Sequence, residues 1–274
     1  MAEDADQGES RRCCRWFDYV AYAVPLLLIA GLVITYLVNP EFYLRYVLEL
    51  QYREWQVVEL VTVGSAFLGS LFLFYSAWRL WAIGPQVYAT MKPDQPAWLK
   101  GRRGAVTIAV VALAAFFLAG EEINWGENLK YIGQSHDERG AADSEEFNLH
   151  NNDRLPISIA GLGTVFIGVI FIALPILWAF RHNLKFVLDD WAPAIAEGPM
   201  IFTIIVTFLW RNVKRVYLSF IDDPDQSGQF YREFIDQINE QKEMLIAVTL
   251  FMYGIYRLAA VKRLAKQVKD AEID

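Results

Sequence analysis

The sequence predicts an all-α protein, a polytopic membrane helix bundle with about six transmembrane helices. Composition is the first reason: 55% of the 274 residues are hydrophobic and 21% are charged, whereas a soluble domain is roughly 45–50% apolar and about 25% charged. The second reason is that the apolar residues form long runs without the polar stripe of a water-facing helix. The same composition excludes a disordered chain, and two adjacent cysteines exclude a disulfide scaffold.

Six apolar stretches account for the predicted spans, because a transmembrane helix needs about 20 mostly apolar residues. In chain order they are Phe17–Val38, about 56–83, 104–120, 156–180, about 191–210 and about 243–260. The first run is too long for the apolar part of a secretory signal peptide, so it predicts a retained anchor. The fifth is interrupted by Glu197 and Pro199 and is interpreted as either a span or a re-entrant segment.

Polar segments between and beside the spans complete the predicted organisation. We expect a single transmembrane domain over 17–262, an acidic N-terminal tail over 1–16 and a charged C-terminal tail over 263–274. Residues 41–55 and 230–242 are amphipathic, as in segments that lie in the membrane interface. No internal repeat or Pro/Gly/Ser-rich linker divides the chain.

The distribution of charge predicts the orientation. An even number of spans places both termini on one side, and the excess of Lys and Arg makes that side cytoplasmic. Arg211, Lys214 and Arg215 are the exception, unless the fifth segment is re-entrant. The acids behind the net charge of -7 fall mainly on the outer side, where they either solubilise loops or attract cations. An acidic chain without a basic face is not expected to bind nucleic acid.

The third predicted span ends in the sequence GEEINWGENLKYIG, which begins at Gly120. As a helix, 104–120 is about 25 Å long, against a hydrocarbon core of roughly 30 Å. It must tilt little, thin the bilayer or extend through 121–125. Extension places Glu121 and Glu122 at the edge of the hydrocarbon, where a carboxylate needs a partner or a raised pKa.

Carboxylates and one histidine are predicted to meet at the outer side. Glu59 opens the second span, Glu121 and Glu122 end the third, His150 opens the fourth and Glu243 opens the sixth. Such groups bind divalent metals or perform acid–base catalysis. The predicted catalytic residues are Glu121, Glu122 and His150; the predicted metal ligands are Glu59, Glu122, His150 and Glu243. The alternative is that the carboxylates are hydrated at helix ends and that the Asn and Asp residues around His150 cap a helix.

Two short elements carry a resemblance to a known family. Gly120, Glu121, Glu122, Trp125 and Gly126 are followed by the Asn-Leu-His-Asn sequence 148–151. This pattern resembles a family of uncharacterised bacterial multi-pass membrane proteins with Gly-Glu-Glu-x-x-Trp-Gly and Asn-Leu-His-Asn elements. The resemblance covers about 30 residues and implies a site in this region.

Intramembrane CAAX-type proteases are similar in a smaller respect. Their motif set begins with Glu-Glu-x-x-x-Arg, but Gly126 stands at the arginine position here. Their Phe-x-x-x-His element is one residue shorter here, from Phe147 to His150. No catalytic role follows from this likeness.

These observations lead to two functional hypotheses. The first is a metal-assisted or acid–base hydrolase or transferase that acts near the outer leaflet, on a lipid-linked or peptide substrate, in a bacterial inner membrane. The alternative is a non-catalytic integral subunit of a larger membrane complex, with other membrane subunits as partners. A transporter is less favoured, because the chain lacks repeat halves and has few charges within its spans.

Overall fold

The computed structural model describes residues 2–48, 57–89, 102–122, 165–179, 194–220, 234–235 and 237–271. Every regular element within these residues is helical. The long helices are α1 (Ala2–Val38), α3 (Val57–Ala89), α4 (Arg102–Glu122), α6 (Gly198–Ser219) and α7 (Ile238–Ala271); the short ones are α2 (Pro40–Phe42) and α5 (Leu174–Ala179). Two π-helical turns, Tyr43–Leu48 and Val169–Ala173, follow α2 and precede α5.

Four helical stretches are long and apolar enough to cross a membrane: Phe17–Val38, Val57–Gly84, Arg102–Gly120 and Glu240–Asp270. They correspond to the first, second, third and sixth predicted spans and indicate a membrane protein. Within the predicted fourth span, 156–180, the described part contains a shorter apolar helix, Val165–Leu177. The count of six spans and the cytoplasmic position of both termini stay predictions.

Helix α1 is longer than its membrane-spanning part, because it begins at Ala2 and includes the predicted N-terminal tail. It continues through Pro25, as transmembrane helices tolerate proline where neighbouring groups satisfy the released carbonyl. It ends before Pro40, since the residue preceding a proline is driven out of the helical region. The Asn39 side chain then accepts a hydrogen bond from the Phe42 N–H at 2.9 Å, which caps α2.

The fifth predicted segment, about 191–210, differs from the structure. Residues 195–197 are not helical, and α6 begins at Gly198. Pro199 lies in the first turn of α6, where a backbone N–H would have no acceptor within the helix, so the lack of an N–H in proline costs nothing. The Glu197 carbonyl accepts the first backbone hydrogen bonds, from the N–H groups of Met200 and Ile201. The apolar part, 198–210, is therefore only about 20 Å long, shorter than the roughly 30 Å hydrocarbon core.

The chain forms two compact units. Unit 1 contains Met1–Val58 and Glu197–Ile246. Within it α1 packs against α6, where the Tyr22 ring meets the edge of the Phe202 ring at 5.4 Å between centroids. Gly198 lies directly against the Tyr22 hydroxyl, so a Cβ at this position would collide with it.

Unit 2 contains Glu59–Ala196 and Ala247–Asp274. Its helices α3 and α7 approach so closely that a Cβ on Gly69 would lie 2.9 Å from the Phe251 backbone nitrogen. A Cβ on Gly254 would likewise lie 3.0 Å from the Gly69 carbonyl oxygen. Small residues at a crossing are typical of membrane helices, whose association depends on van der Waals contact between backbones.

Candidate functional site

Helices α3 and α4 run antiparallel in unit 2. Ala66 of α3 is clustered with Ala119 of α4, while the Arg102 guanidinium lies 4.5 Å from the centre of the Trp81 ring. From the first of these places to the second, α3 runs forward from residue 66 to 81, whereas α4 runs backward from residue 119 to 102. The beginning of α3 and the end of α4 therefore lie at the same end of the helix pair.

Three of the predicted site residues lie at that shared end. Glu59 is half-buried in the first turn of α3, about 10 Å along the helix axis from Ala66. Glu121 and Glu122 are the last two residues of α4, and Glu122 is about 5 Å beyond Ala119 along the axis. Helix α4 thus continues past Gly120. Of the alternatives for the short third span, the structure shows the extension of the helix.

The beginning of α3 and the end of α4 have opposite electrostatic effects on a carboxylate. The partial positive charge at the beginning of a helix stabilises Glu59, whereas the partial negative charge at a helix end opposes two further negative charges. Helix α4 has no basic residue in its last turn. The end of a helix such as α4 is therefore a place where a bound cation is electrostatically favourable.

The rest of the predicted metal site is not assembled by the described residues. Glu243 lies in the first turns of α7, in unit 1, 3.4 Å from the Lys242 ammonium. His150 and the side chains of Glu121 and Glu122 are outside the described residues. The described part contains no group of three or more His, Cys, Asp or Glu side chains that could hold a metal ion. The predicted ligand set stays a prediction.

A buried polar network in unit 1 was not predicted. Gln241, in the first turns of α7, is fully buried. Its Oε1 accepts a hydrogen bond from the Trp210 indole N–H at 2.8 Å, and its Nε2 donates to the Tyr43 hydroxyl oxygen at 2.8 Å. Because an indole nitrogen can only donate, the orientation of the Gln241 amide is determined. One amide therefore joins α6 and α7 to the π-helical turn after α2.

Aromatic rings enclose this network. Tyr43 packs edge-on against Tyr36 at 5.3 Å, and Phe234 contacts Tyr36, Tyr43 and Trp210 at 5.3, 5.5 and 6.2 Å between centroids. Burial raises the pKa of the Tyr43 hydroxyl above its ordinary value, and the hydrogen bond from Gln241 opposes this only in part. All three polar side chains are therefore neutral at physiological pH, which suits a structural junction better than proton transfer.

A second unpredicted polar group lies in unit 2. Arg257 is 2% exposed although it belongs to the apolar stretch Glu240–Asp270, and its guanidinium lies 5.2 Å from the Tyr253 ring centre. The Tyr253 hydroxyl donates to the Ala194 carbonyl at 2.6 Å, and its ring meets Phe171 at 5.2 Å. Ionisable groups within membrane segments usually face the protein interior, as Arg257 does.

Sequence reasoning overlooked these groups for identifiable reasons. Arg257 interrupts the predicted sixth span, about 243–260, and that interruption was the available signal. Gln241 and Tyr43 gave none, because each lies in a polar, amphipathic stretch and their contact joins residues 198 positions apart.

Comparison with known proteins adds no family to this description. No family model, curated protein or solved structure matches the chain.

Proposed function

We propose that the protein is a membrane-embedded enzyme of a bacterial inner membrane. It acts near the outer leaflet as a metal-assisted or acid–base hydrolase or transferase on a lipid-linked or peptide substrate. Glu121, Glu122 and His150 carry the chemistry, and Glu59 helps to hold a divalent metal. The observation that supports this proposal most directly is the antiparallel register of α3 and α4, which brings Glu59, Glu121 and Glu122 to one end of unit 2.

Electrostatics gives the second support. Two carboxylates end α4 at the negative pole of the helix, without a basic residue in the last turn, and a divalent cation offsets this arrangement. A bound divalent metal lowers the pKa of a coordinated water and so generates a nucleophile near neutral pH. Without a metal, a protonated glutamic acid and a histidine perform general acid–base catalysis.

Metal binding is the first test. The full chain is reconstituted in lipid nanodiscs, incubated with Zn²⁺ or Mn²⁺, freed of excess metal by gel filtration and assayed for metal per chain. We expect about one ion per wild-type chain, and an affinity lowered at least about tenfold in Glu122→Gln and His150→Ala. A parallel assay follows hydrolysis of a short-chain polyprenyl diphosphate and of an unstructured peptide.

Asp270→Asn is the matched control, because Asp270 is an exposed carboxylate near the end of α7 in the same unit. It should bind metal like the wild type. Equal binding by all variants would contradict the proposed ligands, and the absence of metal from the wild-type chain would contradict the metal-assisted form. If no variant binds metal but Glu122→Gln still loses turnover, the result would support the acid–base form of the proposal.

One observation favours the second candidate, a non-catalytic subunit of a membrane complex. Only 22% of the most apolar stretch of α1 is buried. The side chains of Tyr19, Leu27 and Leu37 are each at least 67% exposed. Such a helix faces lipid or a neighbouring subunit. Stoichiometric co-purification of another membrane protein in mild detergent supports this candidate, whereas a monomer with full metal occupancy opposes it.

A further inference from the structure

Helix α6 has an apolar stripe that continues past its short apolar run. Ile205, Leu209 and Val216 are exposed along the helix, and Phe220, immediately after its end, is 84% exposed. Their spacings of four, seven and four residues place all four within about 60° around the helix axis. The stripe therefore extends for about 22 Å along one side of the helix.

The opposite side changes character halfway along the helix. In the first half it is buried, and its Thr203 and Thr207 hydroxyls donate to the Pro199 and Thr203 carbonyl oxygens, both at 2.8 Å. In the second half the same side carries Arg211, Lys214 and Arg215. The basic residues thus begin one turn after the buried face ends.

Arg211 and Arg215 are both exposed and lie one turn apart. Neither forms an ion pair with any side chain in the part of the chain that the structure describes. Like charges four residues apart destabilise a helix. An anion that contacts both guanidinium groups relieves this repulsion, and two planar guanidinium groups suit phosphate oxygens.

We propose that the second half of α6, from Arg211 to Phe220, is a binding surface for anionic phospholipids. The apolar stripe lies among the acyl chains at the membrane interface, and the two arginines contact the phosphate group. A helix with one apolar and one basic side is the form that lies in the interface plane, and juxtamembrane arginines attract anionic lipids. The lipid is chosen over a soluble anion because Val216 and Phe220, the last two residues of the stripe, lie within five residues of Arg215.

Native mass spectrometry of the full chain in neutral detergent tests the proposal. Dioleoyl phosphatidylglycerol or dioleoyl phosphatidylcholine is titrated, and the retained lipid is counted. We expect the wild-type chain to prefer phosphatidylglycerol by at least about tenfold and the Arg211→Gln/Arg215→Gln variant to lose this preference. Arg211→Lys/Arg215→Lys preserves both charges and should keep most of it, which separates charge from misfolding. Val216→Ser/Phe220→Ser should weaken retention of both lipids.

Lys262→Gln/Lys266→Gln is the matched control, since this pair is also exposed and one turn apart, on α7. If the control loses the preference for phosphatidylglycerol as much as the arginine variant does, the lipid is attracted by positive charge in general, and the proposal is overturned. Displacement of the lipid by an equal concentration of glycerol phosphate would also overturn it, because the site would then recognise a soluble anion. The outcome is independent of metal binding at Glu122.

Discussion

Units 1 and 2 bury their helices by different means. Unit 1 packs large rings around a hydrogen-bonded amide, with Tyr43, Phe234 and Gln241 all at most 2% exposed. Unit 2 brings α3 and α7 together at Gly69 and Gly254, where backbones nearly touch. The packing of unit 1 depends on the direction of a few hydrogen bonds, whereas the packing of unit 2 depends on the absence of side chains at two glycines. We therefore expect unit 1 to be sensitive to lost polar groups and unit 2 to added methyl groups.

The largest effect is expected in unit 2, from Gly69→Val. The three atoms nearest to a Cβ on Gly69 all belong to the backbone of Leu250 or Phe251, so the helices themselves must move apart. Overpacking of this kind costs about 3 kcal/mol, measurable as a lower free energy of unfolding in detergent.

Gly64→Ala is the control for that substitution. Gly64 lies on the same helix, and a Cβ there meets nothing within 4 Å. The change should be neutral or stabilising by up to about 1 kcal/mol, since alanine favours a helix over glycine. A similar loss for both variants would show that helix propensity, not close approach, determines stability at these positions.

Gln241→Leu should have the next largest effect, through unit 1. It leaves the Trp210 N–H and the Tyr43 hydroxyl without their shared partner, at a cost of about 2–3 kcal/mol in unfolding free energy. Tyr43→Phe removes one of the two bonds and should cost about 1 kcal/mol. The double variant should lose less than the sum of the two, because both changes break the same bond. Strict additivity would contradict the network.

The smallest effect concerns pH. Because burial raises the pKa of Tyr43 in the folded state above its ordinary value near 10, its contribution to stability is complete below about pH 10. It is lost as the pH rises further, by at most about 1.4 kcal/mol per pH unit. The difference in unfolding free energy between wild type and Tyr43→Phe, measured from pH 8 to 11, should shrink above pH 10. A constant difference would show that Tyr43 ionises equally in both states.

The sequence predicted the helices whose ends have strong chemical signals. The bounds of the first span, Phe17–Val38, are confirmed, because Asn39 and Pro40 terminate the helix. The fifth segment, about 191–210, was predicted to be interrupted at Glu197 and Pro199, and residues 195–197 are indeed not helical. The sequence did not show that α6 begins directly after Glu197, with Pro199 in its first turn, which is where proline is favoured.

The candidate site was predictable only as far as single helices determine it. The extension of α4 to Glu122 was one of three alternatives that the shortness of its apolar run left open. The antiparallel arrangement that clusters Ala66 with Ala119 depends on tertiary packing that no local pattern encodes. His150 lies outside the described residues, so its role stays a prediction.

The hydrogen bond between Tyr43 and Gln241 has a consequence for synthesis. Its partners are 198 residues apart, and ribosomes add about 5–20 residues per second. Roughly 10–40 s therefore pass between the emergence of the first partner and that of the second. For most of this interval the nascent N-terminal helix is without α6, and until its end it is without α7.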